Sequence, residues 1–171
     1  MKTFLTTIKI SLFFIAVFTT QLDCVAIKRN VHIGPQLKQP FMTGLDVLLE
    51  GNCSFLEGKK VGLITNQTGV TSRMVQNIDA FINSENVDLK AIFSPEHGLS
   101  GSVSAGEKIY NKADSIYGVP LYSLYGNNKK PSQGMLKNLD ILVFDIQDIG
   151  IRSYTYISTM GLAMEAAQEE G

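Results

Sequence analysis

Short, unbroken apolar runs alternate with helix-spaced apolar stripes in this chain, which predicts an α/β fold, a parallel sheet flanked by helices. Three observations carry that prediction. The run KKVGLITN is continuous rather than alternating, as expected of a strand buried on both faces, LKAIFSP reads as a second buried strand, GVPLYSLYG as a third strand and DILVFDIQD as the clearest strand of the chain. Between the first two lies SRMVQNIDAFIN, whose Met74, Val75, Ile78, Phe81 and Ile82 lay an apolar stripe along a helix. Hydrophobic residues make up 44% of the 171 and charged residues 18%, enough to build a real core in one domain of ordinary size.

The elements follow in order. Lys2 and Lys9 flank the start of the apolar run ISLFFIAVF, and small residues follow at Cys24 and Ala26. That pattern predicts an export signal over 1–26, cleaved after Ala26, and hence a periplasmic or extracellular protein. A retained membrane anchor is the alternative, although the run is short for a bilayer span. A lipid-modified Cys24 is a second alternative, which Asp23 directly before it disfavours. Residues 27–43 contain two prolines and no period, and read as a linker. TGLDVLLEG then places Leu45, Leu48 and Leu49 on one side of a short helix.

The first strand ends in the turn signal Asn66-Gln67-Thr68-Gly69. Pro131 is expected to open a helix at its first turn. The segment SYTYISTMGLAMEAAQEEG closes the chain as a helix with Ile157, Met160, Gly161, Met164 and Ala167 on one face. Residues 44–171 thus form the folded domain.

Composition excludes several functions. The net charge is −1, and no basic run alternates with aromatics, so neither nucleic acid nor an anionic membrane is an expected partner. A membrane contact is expected only through an uncleaved or lipidated N-terminus. Without residues 1–26, Cys53 is the only thiol, which leaves no internal disulfide and no cysteine-cluster metal site. No G-x-G-x-x-G follows the first strand and no G-x-x-x-x-G-K is present. No cofactor is therefore expected.

Ligands of open parallel sheets bind beyond the carboxyl ends of the strands. Collected there are Asn66, Gln67 and Thr68 after the first strand, and Ser94, Glu96 and His97 after the second. Tyr122, Ser123 and Tyr125 belong to the third, and Asp145, Gln147 and Asp148 to the fourth, followed by Arg152, Tyr154 and Tyr156. Carboxylates beside aromatic platforms suit sugar chemistry, because glycoside cleavage needs an acid for the leaving oxygen and a second group to supply or position the nucleophile. Glu96, beside Pro95, is the candidate acid; Asp145 or Asp148 is its candidate partner.

Plainer readings exist for each. Asp145 at a strand end can cap the following turn, Arg152 can neutralise Asp148, and Tyr154 and Tyr156 can belong to the core. Glu96, His97, Asp145 and Asp148 have ligand chemistry for a divalent metal, as in a metal-dependent deacetylase, but H-E-x-x-H spacing is absent. Ser94 or Ser123 as nucleophile lacks the G-x-S-x-G elbow. Asn52-Cys-Ser and Asn66-Gln-Thr match the glycosylation sequon, and a glycan on Asn66 would block the rim.

At GKKVGLITNQTGV, FSPEHGL, VPLYSLYG with the following KKP, and DIQDIGIRSYTYISTM, the chain resembles the exo-β-N-acetylmuramidases, a bacterial family first catalogued as a domain of unknown function. The resemblance runs from about Gly44 to the C-terminus. It implies a Rossmann-like N-terminal domain with a cleft near its junction with a smaller C-terminal domain. The implied activity is release of N-acetylmuramic acid from the non-reducing end of peptidoglycan-derived sugar chains, so muramic-acid glycans are the implied partners. Glu96 matches the glutamate of the family's PEHG motif, the favoured catalytic acid, and His97, Asn66, Arg152 and Tyr154 match other residues of the site.

Arg152 can grip the lactyl carboxylate through two parallel hydrogen bonds. Whether Asp145 or Asp148 assists water, or the substrate's acetamido group attacks, stays open. The segment SGSVSAGE carries serines at 100, 102 and 104 where the family usually has an acidic residue or two. The family continues beyond the position of Gly171 with a further strand and a second domain. The chain is therefore expected to be a truncated form, unstable and inactive alone, with a non-catalytic muropeptide-binding module as the runner-up.

Overall fold

A computed structural model describes residues 41–102 and 118–171. The expected export signal, most of the linker and Ser104 lie outside the described residues.

Four strands form one sheet, β1 Lys60–Thr65, β2 Asp88–Ser94, β3 Leu121–Ser123 and β4 Ile141–Asp145, in the order β3-β2-β1-β4. Every pair is parallel. This order matches the first four strands of the doubly wound arrangement, and it reverses direction between β1 and β4. The expected fold class is therefore the observed one.

Helices cover both faces. α1 (Gly44–Glu50), a 3-10 turn (Ser54–Leu56) and α2 (Asn77–Ile82) supply Leu45, Leu56, Ile78 and Phe81 to one core, where they meet Val61, Leu63, Leu89 and Ile92 of the sheet. α3 (Gln133–Leu136) and α4 (Tyr156–Glu170) supply Leu136, Ala163 and Ala166 to the other, against Ile64, Ala91 and Phe93. β1 alternates cleanly between the cores. β2 does not, because the register slips by one residue opposite Val61 and Gly62, at Lys90. The extra residue changes the phase of the strand, so Leu89 shares a face with Ile92 rather than with Ala91.

Three expectations about the helices need correction. Met74 and Val75 precede α2 instead of lining it: Met74 has φ +63° and Gln76 bridges back to Val70, so the chain makes a small hairpin before the helix starts. Pro131 does not occupy the first turn of α3 but stands before its cap residue Ser132. α4 buries Tyr156, Thr159, Ala163 and Ala166, while Ile157 and Met164 are 62% and 65% exposed. The expected stripe is thus rotated away from the sheet. Alanine wins the inner face because its small side chain lets the helix axis approach the strands.

Candidate active site

The carboxyl ends of the strands are tied together by polar side chains. Asn66, 1% exposed, directs its Oδ1 to the turn that follows β1, where it accepts from the Thr68 backbone N–H at 2.9 Å and the Thr68 hydroxyl at 2.6 Å. Thr68 Oγ1 accepts in turn from the backbone N–H of Gln147 at 2.9 Å, bridging the ends of β1 and β4 at the point where strand order reverses. Asn66 Nδ2 is buried and makes no full hydrogen bond. That burial also removes Asn66 as a glycan acceptor.

Glu96 and His97 occupy the centre of a tight turn after β2. The Gly98 N–H donates to the Pro95 carbonyl at 3.1 Å, closing the turn. A type II turn needs positive φ at its third residue, normally glycine. Here that residue is His97, at φ +70°. Gly98 follows at φ +73°, a left-handed pair that reverses the chain and leaves both side chains half-buried at the rim.

Opposite them, the segment after β4 supplies Ser153, Tyr154, Thr155 and Tyr156. With Glu96 and His97 these residues line a hollow of about 230 Å³. The Thr155 hydroxyl donates to Glu96 Oε2 at 3.1 Å. The rings of Tyr154 and Tyr156 meet edge to face, 5.5 Å between centroids. Burial raises the Tyr156 phenol above its usual pKa; Tyr154, Glu96 and Asp148 add to the rise, while the Asn66 side chain opposes it. A larger hollow of about 300 Å³, walled by Leu139, Ile141 and Leu142 among others, lies at the amino end of β4, the wrong end of a parallel sheet for a ligand.

The two candidate partners of Glu96 separate here. Asp145 turns to the start of α2, where its Oδ2 accepts from Asn77 Nδ2 at 2.7 Å. Asn77 also donates to Thr65 Oγ1 at 2.7 Å, and Thr65 donates to the Asp145 carbonyl at 2.9 Å. Neither Asp145 nor Asp148 is among the residues that line the hollow. Asp148 accepts from the Gly150 N–H through Oδ1 at 2.6 Å, its Oδ2 is buried without a partner, and its charge acts on Tyr156.

Gln67 is exposed, its amide lying against Gly101, where any Cβ would collide with it. Tyr125 is half-buried after β3 and outside the wall of the hollow. Arg152 is exposed, one residue before that wall, and makes no ion pair among the described residues. No group of three His, Cys, Asp or Glu is placed to hold a metal ion among the described residues. Ser153, Thr155 and Asn77 escaped the sequence reading. Thr155, directly before a helical stripe, carries a cap signal that locates it, but nothing in the sequence pairs it with Glu96.

Residues 61–171 match the family described as "Exo-beta-N-acetylmuramidase NamZ, N-terminal". The chain belongs to that family. Over 134 residues it is 49% identical to the peptidoglycan beta-N-acetylmuramidase NamZ of Bacillus subtilis strain 168, an alignment that covers 78% of this chain and 32% of that protein. Two crystal structures of DUF1343 family proteins from Bacteroides fragilis resemble it. One has a TM-score of 0.68 at 53% identity, covering 75% of this chain and 32% of its own. The other has a TM-score of 0.59 at 35% identity, covering 75% and 31%. The chain thus spans about a third of the length of these relatives. Every residue of the hollow falls within the part that matches the family.

Proposed function

We propose that the chain carries the acid side of a glycoside hydrolase that releases N-acetylmuramic acid from the non-reducing end of peptidoglycan-derived sugars. The observation that carries this reading is the Glu96 carboxyl, half-buried on a hollow the size of one sugar ring and facing the tyrosines across it. Family membership and the activity in the name of the Bacillus relative support the substrate class.

In this reading Glu96 gives its proton to the glycosidic oxygen as the bond to the anomeric carbon breaks, leaving an oxocarbenium-like sugar. Asp148, whose charge reaches Tyr156, is the carboxylate available to that cation. The Tyr154 and Tyr156 pair provides an apolar wall for the pyranose ring. Arg152 supplies the fork for the lactyl carboxylate. The export-signal pattern of residues 1–26 supports a reaction outside the cytoplasm, in a periplasmic or extracellular space.

The test compares β-N-acetylmuraminide and β-N-acetylglucosaminide hydrolysis by the full chain and two variants, and turnover by the unaltered chain also overturns the expectation that it is inactive alone. Glu96→Gln should lower muraminide kcat by roughly 10²–10⁴-fold at unchanged folding. Arg152→Lys should narrow the preference for muraminide over glucosaminide. Saturable muropeptide binding with no turnover in the unaltered chain would instead favour a binding module.

A further inference from the structure

Thr155 occupies the cap position before α4, where a threonine ordinarily accepts from an amide of the first helical turn. Its side chain makes no such bond. Its carbonyl still begins the helix, accepting from Thr159 N at 3.0 Å and from the Thr159 hydroxyl at 3.2 Å. The Thr155 hydroxyl instead reaches across the hollow to Glu96 Oε2. A helix cap has given up its usual bond for one with a carboxyl 59 residues earlier in the chain.

We propose that Thr155 is a positioning residue for the acid, fixing which oxygen of Glu96 delivers the proton. The inference rests on the reading of Glu96 as that acid. A hydroxyl has one proton to donate. Once that proton is given to Oε2, Oε2 serves as acceptor, and the single acidic proton of Glu96 sits on Oε1. The same bond locks rotation of the carboxyl group, so Oε1 keeps one direction relative to the sugar.

The experiment measures kcat and KM on a muraminide substrate for Thr155→Val, Thr155→Ala and Thr155→Ser, with thermal melts of each. Thr155→Val and Thr155→Ala should lose kcat on the order of tenfold to a hundredfold, the scale of a misplaced reacting group, with KM nearly unchanged. Thr155→Ser should restore kcat. If either hydroxyl-free variant that melts like the unaltered chain keeps its kcat, or if Thr155→Ser is as impaired as Thr155→Ala, the proposal is overturned. Glu96→Gln in the same assay separates the two layers: full activity there removes the acid reading itself, whereas lost activity with an indifferent Thr155 removes only this inference.

Discussion

His97 holds its backbone in the left-handed region at φ +70°, at a site where glycine would be free of strain. For a side chain with a Cβ that conformation costs about 1–2 kcal/mol. Such strain persists where a neighbouring requirement holds it, and here the turn sets the imidazole beside Glu96 on the wall of the hollow. His97→Gly should therefore melt above His97→Ala by about 1 kcal/mol, or roughly 2–4 °C in a domain of this size, while both lose activity. Comparing the two variants cancels whatever the imidazole's own contacts contribute; an alanine variant that melts as high as the glycine variant would remove the strain argument. At this scale the sequence was informative where a residue type and its neighbours demand a turn, as in Pro95-Glu96-His97-Gly98. It was silent about Thr155, whose partner is set by the path of the chain between them.

At the start of α1, Asp46 gathers three donors. Its Oδ2 accepts from the Thr43 N–H at 2.8 Å, the Thr43 hydroxyl at 2.9 Å and the Ser72 N–H at 2.9 Å, and the Thr43 hydroxyl accepts back from the Asp46 N–H. This capping box ties the helix to the hairpin before α2. The bond from the Thr43 backbone, more than any other cause, holds the Asp46 carboxyl at about 2, below its ordinary 3.8. The folded chain therefore prefers the ionised form. The resulting stabilisation is full above pH 4 or so and is lost as pH falls from the ordinary value toward the folded one. Asp46→Asn should melt below the unaltered chain near pH 6, and the gap should close between about pH 4 and pH 2. Thermal melts across that range check it, and a gap that stays constant with pH would contradict it. Strands were legible at this scale because a parallel strand buried on both faces is a continuous apolar run. Helix faces were less so: α4 carries an alanine stripe and an Ile-Met stripe, and only the distance to the sheet chooses between them. Met74 and Val75 fit a helical period, but the turn at Met74 stops that period before α2.

Across the whole domain, the sheet brings the carboxyl ends of its strands to one edge, and the polar ties there divide the acids between architecture and the hollow. That gathering could be anticipated from the strand ends alone. That Asp145 is held by the fold could not, since it depends on Asn77, which stands 68 residues before it. The Asn77 side chain links α2, the end of β1 and the end of β4, and it is wholly buried. Gly69 passes so close that a Cβ there would run into the Asn77 amide, so the knot is packed as well as bonded. A bond to a carboxylate in such a place contributes about 1.5–3 kcal/mol. Asn77→Ala and Asp145→Ala should each lower stability, and because they remove the same bond the double variant should fall short of their sum by about 1–2 kcal/mol. Asp148→Ala, by contrast, gives up only the bond from the Gly150 N–H within its own turn, since its Oδ2 has no partner among the described residues, and should act on turnover more than on melting. Denaturant unfolding of the four members of the Asn77–Asp145 cycle reads the coupling. Additivity within about 0.5 kcal/mol would mean that the two side chains do not share one interaction and that Asp145 is available for chemistry after all.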